Sequence, residues 1–147
     1  MAGMWNNFVS FDLAKKLKNR GFYEECCAYY TSKGELYYEE AHEGDTINNL
    51  FWKPIGDSIG APTISQVLYW LGEIMKIYVI IEPYPSHSTQ NKIIWSWRYK
   101  WKSDGQCMLT EDPDENTYLE YTEAAQACFN HIIDNLIHEV WQREKDC

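Results

Sequence analysis

Apolar and polar positions alternate most regularly between residues 93 and 101, where Ile93, Trp95, Trp97, Tyr99 and Trp101 are separated by Ile94, Ser96, Arg98 and Lys100. A period of two is the signature of a strand, because successive side chains leave a strand on opposite faces. One face of this strand is therefore a row of rings, and the other carries Ser96, Arg98 and Lys100. Such a row is either a core wall packed under helices, with the bases on the solvent face of a half-exposed sheet, or a platform for a ligand.

Three other segments repeat at helical spacing. Ser10 stands as an N-cap before Leu13 and Leu17, with Asp12 in the first turn, Lys16, Lys18 and Arg20 in the last, and Gly21 as the stop. Thr63 and Gln66 form a capping-box pair ahead of Ile64, Val67, Leu68, Leu71, Ile74 and Met75, a core-facing stripe that Trp70 widens and Lys76 ends. The last helix is capped by Thr122, and its stripe runs through Ala125, Cys128, Phe129, Ile132, Ile133, Leu136 and Val140.

Strand runs lie between these helices. Residues 22–31 and 35–40 flank Ser32-Lys33-Gly34 and predict a hairpin. Residues 77–82 are β-branched and stop at Pro83 and Pro85; a polar connector over 86–91 predicts antiparallel pairing with the aromatic strand. Ser103-Asp104-Gly105 is a turn before a strand near 106–109, and a final strand is expected around 118–121. Residues 41–61 read as a long ordered loop anchored by Leu50, Phe51, Trp52 and Ile55.

The order is α-ββ-α-ββ(β)β-α, without a βαβ rhythm. It predicts an α+β fold: one antiparallel sheet of about five to six strands with helices packed on one face. Its 147 residues suit a single domain over residues 1–147. Residues 1–7 precede the first helix signal, and Met4 reads as a second start behind Met1-Ala2-Gly3, so this segment is expected to lie outside the ordered fold.

Composition narrows the partners. The net charge of −9 makes the molecule repel phosphate backbones and anionic membrane surfaces, so neither a long nucleic acid nor a membrane is an expected partner. The bases are concentrated at Lys15, Lys16, Lys18 and Arg20 and again at Lys92, Arg98, Lys100 and Lys102, which leaves room for a local basic strip. Rings make up 16% of the chain, with 11 Tyr and 7 Trp, an excess that belongs either in the core or at an interface. Five cysteines, at 26, 27, 107, 128 and 147, imply no paired framework and point to a reducing, cytoplasmic setting. Apolar runs such as 77–81 are too short for a membrane span, and no signal peptide is read.

Catalytic constellations are scarce. His131, Asp134 and His138 fall at i, i+3 and i+4 steps, yet no further ordered ligand or general-base glutamate accompanies them, so neither a metal nor a cofactor is expected. The cysteines suit small buried positions better than nucleophiles. Glu24-Glu25 and Glu39-Glu40 are adjacent in predicted strands and face opposite ways, and Glu111-Asp112 falls in a loop, so none forms a carboxylate dyad. Gly56-x-x-x-Gly60 lacks the Lys and Ser/Thr of a phosphate loop. The remaining candidates are ligand-binding: Trp52, Trp95, Trp97, Tyr99 and Trp101 as stacking surfaces, with Arg98 and Lys100 to hold a small anionic ligand such as a nucleotide.

Residues 8–22, Cys27-Ala28-Tyr29-Tyr30, residues 61–71 and Tyr121-Thr122-Glu123-Ala124 together resemble small proteins of bacteriophages and mobile elements of gut Bacteroidetes. The resemblance brings no catalytic motif. It implies a setting, host interaction in the host cytoplasm and in some members antagonism of antiviral defence. The function expected is that of a non-enzymatic interaction protein that binds a host protein or ligand through an aromatic-rich surface, with a homodimer as one arrangement. The alternatives are sequestration of a nucleotide signal and, third, a Cys/His-dependent hydrolase.

Overall fold

In the computed structural model, which describes residues 7–38, 57–85, 93–103, 105–112 and 118–135, Ser10 opens the first helix as its spacing predicts. Its hydroxyl accepts from the Leu13 N–H at 3.3 Å, satisfying one of the donors that a helix N-terminus leaves over. This helix, α1 (Phe11–Asn19), buries Leu13, Ala14 and Leu17. The chain divides into two compact units, Met1–Ser65 and Gln66–Cys147.

In the first unit, β1 (Ala28–Tyr30) and β2 (Leu36–Tyr38) form the predicted hairpin, shorter than its apolar runs. Its turn needs Gly34: φ is +86°, and a Cβ there would lie 3.2 Å from the Phe11 ring. The other edge of β1 is taken by β3 (Ile59–Gly60), which comes from the stretch expected to be loop. Val9 N–H donates to the Pro62 carbonyl at 3.0 Å, and Ala61 N–H to that of Ala28 at 3.0 Å. The Tyr30 hydroxyl, buried with its ring, donates to the Val9 carbonyl and so ties the hairpin to the segment before α1.

The second helix, α2 (Ile64–Glu73), buries Ile64, Val67, Trp70 and Leu71 of its predicted stripe. Lys76 does end it: its φ of 58° turns the chain, and the Met75 and Ile77 N–H groups take up the Trp70 and Leu71 carbonyls.

The second unit holds β4 (Tyr78–Pro85), β5 (Ile93–Ser103) and β6 (Gln106–Glu111), antiparallel in the order β4-β5-β6. The helix α3 (Tyr121–Asn135) lies on β4 and β5 and buries Ala124, Ala125, Cys128, Phe129, Ile132 and Ile133. Its predicted continuation through Leu136 and Val140 lies outside the described residues. The strand expected at 118–121 is reduced to one bridge between Tyr118 and Trp95.

The α+β class is as expected, but the single sheet is not what forms. Among the described residues the strands make two three-stranded antiparallel sheets, β2-β1-β3 and β4-β5-β6. The hairpin finds its third strand in the two residues Ile59 and Gly60, which pair with Tyr30 and Tyr29. Periodicity identifies strands; it does not say which edges meet.

Candidate functional site: the open face of the second sheet

The aromatic row of β5 is turned toward α3. Trp97 and Tyr99 are 4% and 2% exposed, so neither ring has a face to offer a ligand. The Tyr99 hydroxyl lies 2.9 Å from His131 Nδ1, and the His131 ring is 5.1 Å from Trp97 and 5.8 Å from Tyr99 between centroids. Burial pushes the Tyr99 phenol above its ordinary range, against a smaller opposing effect of its hydrogen bond with Thr110. Trp95, half-buried, meets Tyr121 of α3 edge-on at 5.4 Å, and the half-buried Trp101 ring is 5.4 Å from that of Tyr99. The row is a wall of the core.

What β5 presents on its other side is set by the same alternation: Ile94, Ser96, Arg98 and Lys100 share the open face with Tyr78, Ile80, Glu82 and Tyr84 of β4 and Leu109 and Glu111 of β6. A cavity of about 320 Å³ opens there, with Ile80, Tyr84, Ile94, Ser96, Arg98 and Glu111 in its lining. Arg98, expected to hold phosphate, has its Nη2 2.9 Å from Glu82 Oε1. Tyr84 donates its hydroxyl to the other oxygen of Glu82. That bond first, and Arg98 after it, hold the Glu82 carboxyl below the usual range, and Glu82 in turn pushes the Tyr84 phenol up.

Carboxylates outnumber cations around the cavity, since Glu82, Glu111 and Asp112 line it with Arg98 as the one base. Its surroundings are apolar and exposed: Tyr78 at 55%, Tyr84 at 45% and Leu109 at 48%. Lys100 is exposed on the same face, beside Tyr78 and Leu109 in register. Arg98 Nε is buried without a hydrogen-bond partner. The arrangement suits recognition of a partially apolar, positively charged group better than an anion.

Trp52 lies outside the described residues, as does His138. Among the described residues no three His, Cys, Asp or Glu side chains gather as metal ligands, and His131 is engaged with Tyr99. Burial pushes the Cys26 thiol up to about 12 and raises Cys128 as well, the opposite of what a thiolate nucleophile requires.

Glu82, Tyr84 and Glu111 escape a reading by motif. The available signal is register: pairing residues 78–85 with 93–100 antiparallel puts Ile80 opposite Arg98 and Glu82 opposite Ser96, so Glu82 is a diagonal neighbour of Arg98. Comparison with protein-family models, with curated proteins and with solved structures finds no match to this chain. No helix of the described residues is long and apolar enough to cross a membrane.

Proposed function

We propose that the protein is a non-enzymatic interaction protein that binds another protein through the open face of β4-β5-β6. The observation that carries this reading is the division of β5. Its buried rings serve the core, while Tyr78, Tyr84 and Leu109 stand exposed around a carboxylate-rich cavity. Tyrosine contributes large contact area at low entropic cost, and surplus carboxylates select a partner that brings a Lys or Arg side chain. The resemblance to phage and mobile-element proteins supplies the setting, a protein of the host cytoplasm.

Affinity capture from host lysate with the wild type and with a Tyr78→Ala/Tyr84→Ala variant tests this. A protein held by the wild type and released by the variant supports the reading. Identical captured sets overturn it.

A second reading, binding of a small anionic ligand such as a nucleotide, draws support from Arg98, Lys100 and Lys102 at alternate positions on one face. It requires Arg98 to leave Glu82. A thermal-stability screen of cyclic and linear nucleotides separates the two, because a ligand that binds only the native state raises the melting temperature. A rise that Arg98→Ala and Lys100→Ala both abolish favours the nucleotide.

A further inference from the structure

One row of the register crosses the open face from Ile80 of β4 through Arg98 of β5 to Glu111 of β6. Arg98 and Glu111 stand directly opposite, yet the guanidinium gives its Nη2 to Glu82 of β4 instead. A complementary pair is left open. Among the described residues the Glu111 carboxylate takes part in no hydrogen bond or ion pair, while Arg98 Nε is buried and its N–H has no acceptor. Both residues line the cavity, with Ile80, Tyr84 and Ile94 as its apolar part. Trp97, 4% exposed, belongs to the same lining, and its indole N–H is likewise without an acceptor.

Which guest fits follows from what each group lacks. Glu111 needs a cation and the Arg98 Nε–H an acceptor, and the Cβ atoms of residues directly opposite across two strands are only about 5 Å apart, so the guest must carry both close together. A phosphate or carboxylate does not. It would call on the guanidinium fork, of which Glu82 holds one prong, and would face Glu82, Glu111 and Asp112. An internal Lys or Arg brings the cation, but its nearest carbonyl is a full side chain away. The first residue of a polypeptide carries an ammonium and a carbonyl oxygen roughly 3 Å apart across N–Cα–C=O. One residue then answers both groups.

We propose that the cavity captures the free N-terminus of the partner protein, with the ammonium on Glu111, the first carbonyl accepting from Arg98 Nε–H, and the first side chain against Ile80, Tyr84 and Ile94. The bond between Arg98 and Glu82 stays intact, because the guest uses Nε and leaves Nη2 in place. At about 320 Å³ the space is at the small end of ligand cavities and takes one residue, not a length of chain. The proposal rests on the open-face reading and names the part of the partner that this face selects.

Amide chemical-shift titration by NMR tests it with three probes: leucinamide, which is a free N-terminus in its smallest form, N-acetyl-leucinamide, and Nα-acetyl-lysinamide. Leucinamide is expected to shift the Ile80, Arg98 and Glu111 signals, and either acetylation of the probe or Glu111→Gln to weaken its binding at least about tenfold. Glu111 is exposed, so the variant should fold; if it does not, the acetylation comparison on the wild type decides. Nα-acetyl-lysinamide binding as tightly as leucinamide overturns the N-terminus while leaving a partner's Lys side chain as the guest. Leucine binding more tightly than leucinamide overturns it in favour of a free amino acid. Absence of shifts with all three probes also overturns it, and the lysate capture with the Tyr78→Ala/Tyr84→Ala variant then judges the open-face reading separately.

Discussion

The Tyr99 hydroxyl and His131 Nδ1 lie 2.9 Å apart where β5 meets α3. The contact assigns both residues to packing. The tyrosine of the candidate ligand platform and the histidine of the candidate metal trio satisfy each other inside the second unit. Removing the hydroxyl in Tyr99→Phe leaves a half-buried imidazole nitrogen without its partner, at an expected cost of about 0.5–1.5 kcal/mol. Urea denaturation measures it, and an unchanged midpoint would show that water replaces the phenol.

Acid should loosen the open face before it affects the core. Glu82 is held below the usual carboxylate range by Tyr84 and then Arg98. A carboxyl with a depressed folded-state pKa contributes stability that is complete above its unfolded value, about 4.3, and is lost as pH falls through the folded value. The stability difference between wild type and Glu82→Gln is therefore expected to be small, largest at neutral pH, and to close in the acid range. A difference that persists undiminished into acid would assign it to something other than the charge.

Thiol chemistry offers a separate check on burial. Cys107 is exposed, whereas burial raises the Cys26 and Cys128 thiols. Iodoacetamide at neutral pH, followed by peptide mass mapping, is expected to label Cys107 in the native protein and to reach Cys26 and Cys128 only in denaturant. Native labelling of Cys128 would contradict the packing of α3.

Two glycines separate strain from crowding. Gly105 has φ +80° with open space where a Cβ would go, while Gly34 has φ +86° and the Phe11 ring 3.2 Å away. Gly105→Ala is expected to cost about 1–2 kcal/mol, the left-handed penalty alone, and Gly34→Ala more than that. Equal losses in thermal denaturation would mean that the Phe11 ring moves aside freely.

Much of this architecture is legible in the chain. The Ser10 cap, the Lys76 stop, the Gly34 turn and the strand over 93–103 follow from local rules, because each depends on neighbours within a few residues. The sheet partition does not, since whether Ile59 and Gly60 or a longer strand completes β1 depends on chain closure over many residues. The site divides in the same way. Arg98 reads as a binding cation from its own strand, but its bond to Glu82 spans 16 positions and exists only once β4 and β5 are in register.

That β5 has one face of rings and one of polar groups is written into residues 93–102, because a strand's two-residue period is a property of the backbone. Which face α3 covers is settled by packing, which turns Trp97 and Tyr99 into core and leaves Tyr78, Tyr84 and Leu109 exposed. Period fixes which side chains share a face, whereas burial depends on which other surface finds that face complementary.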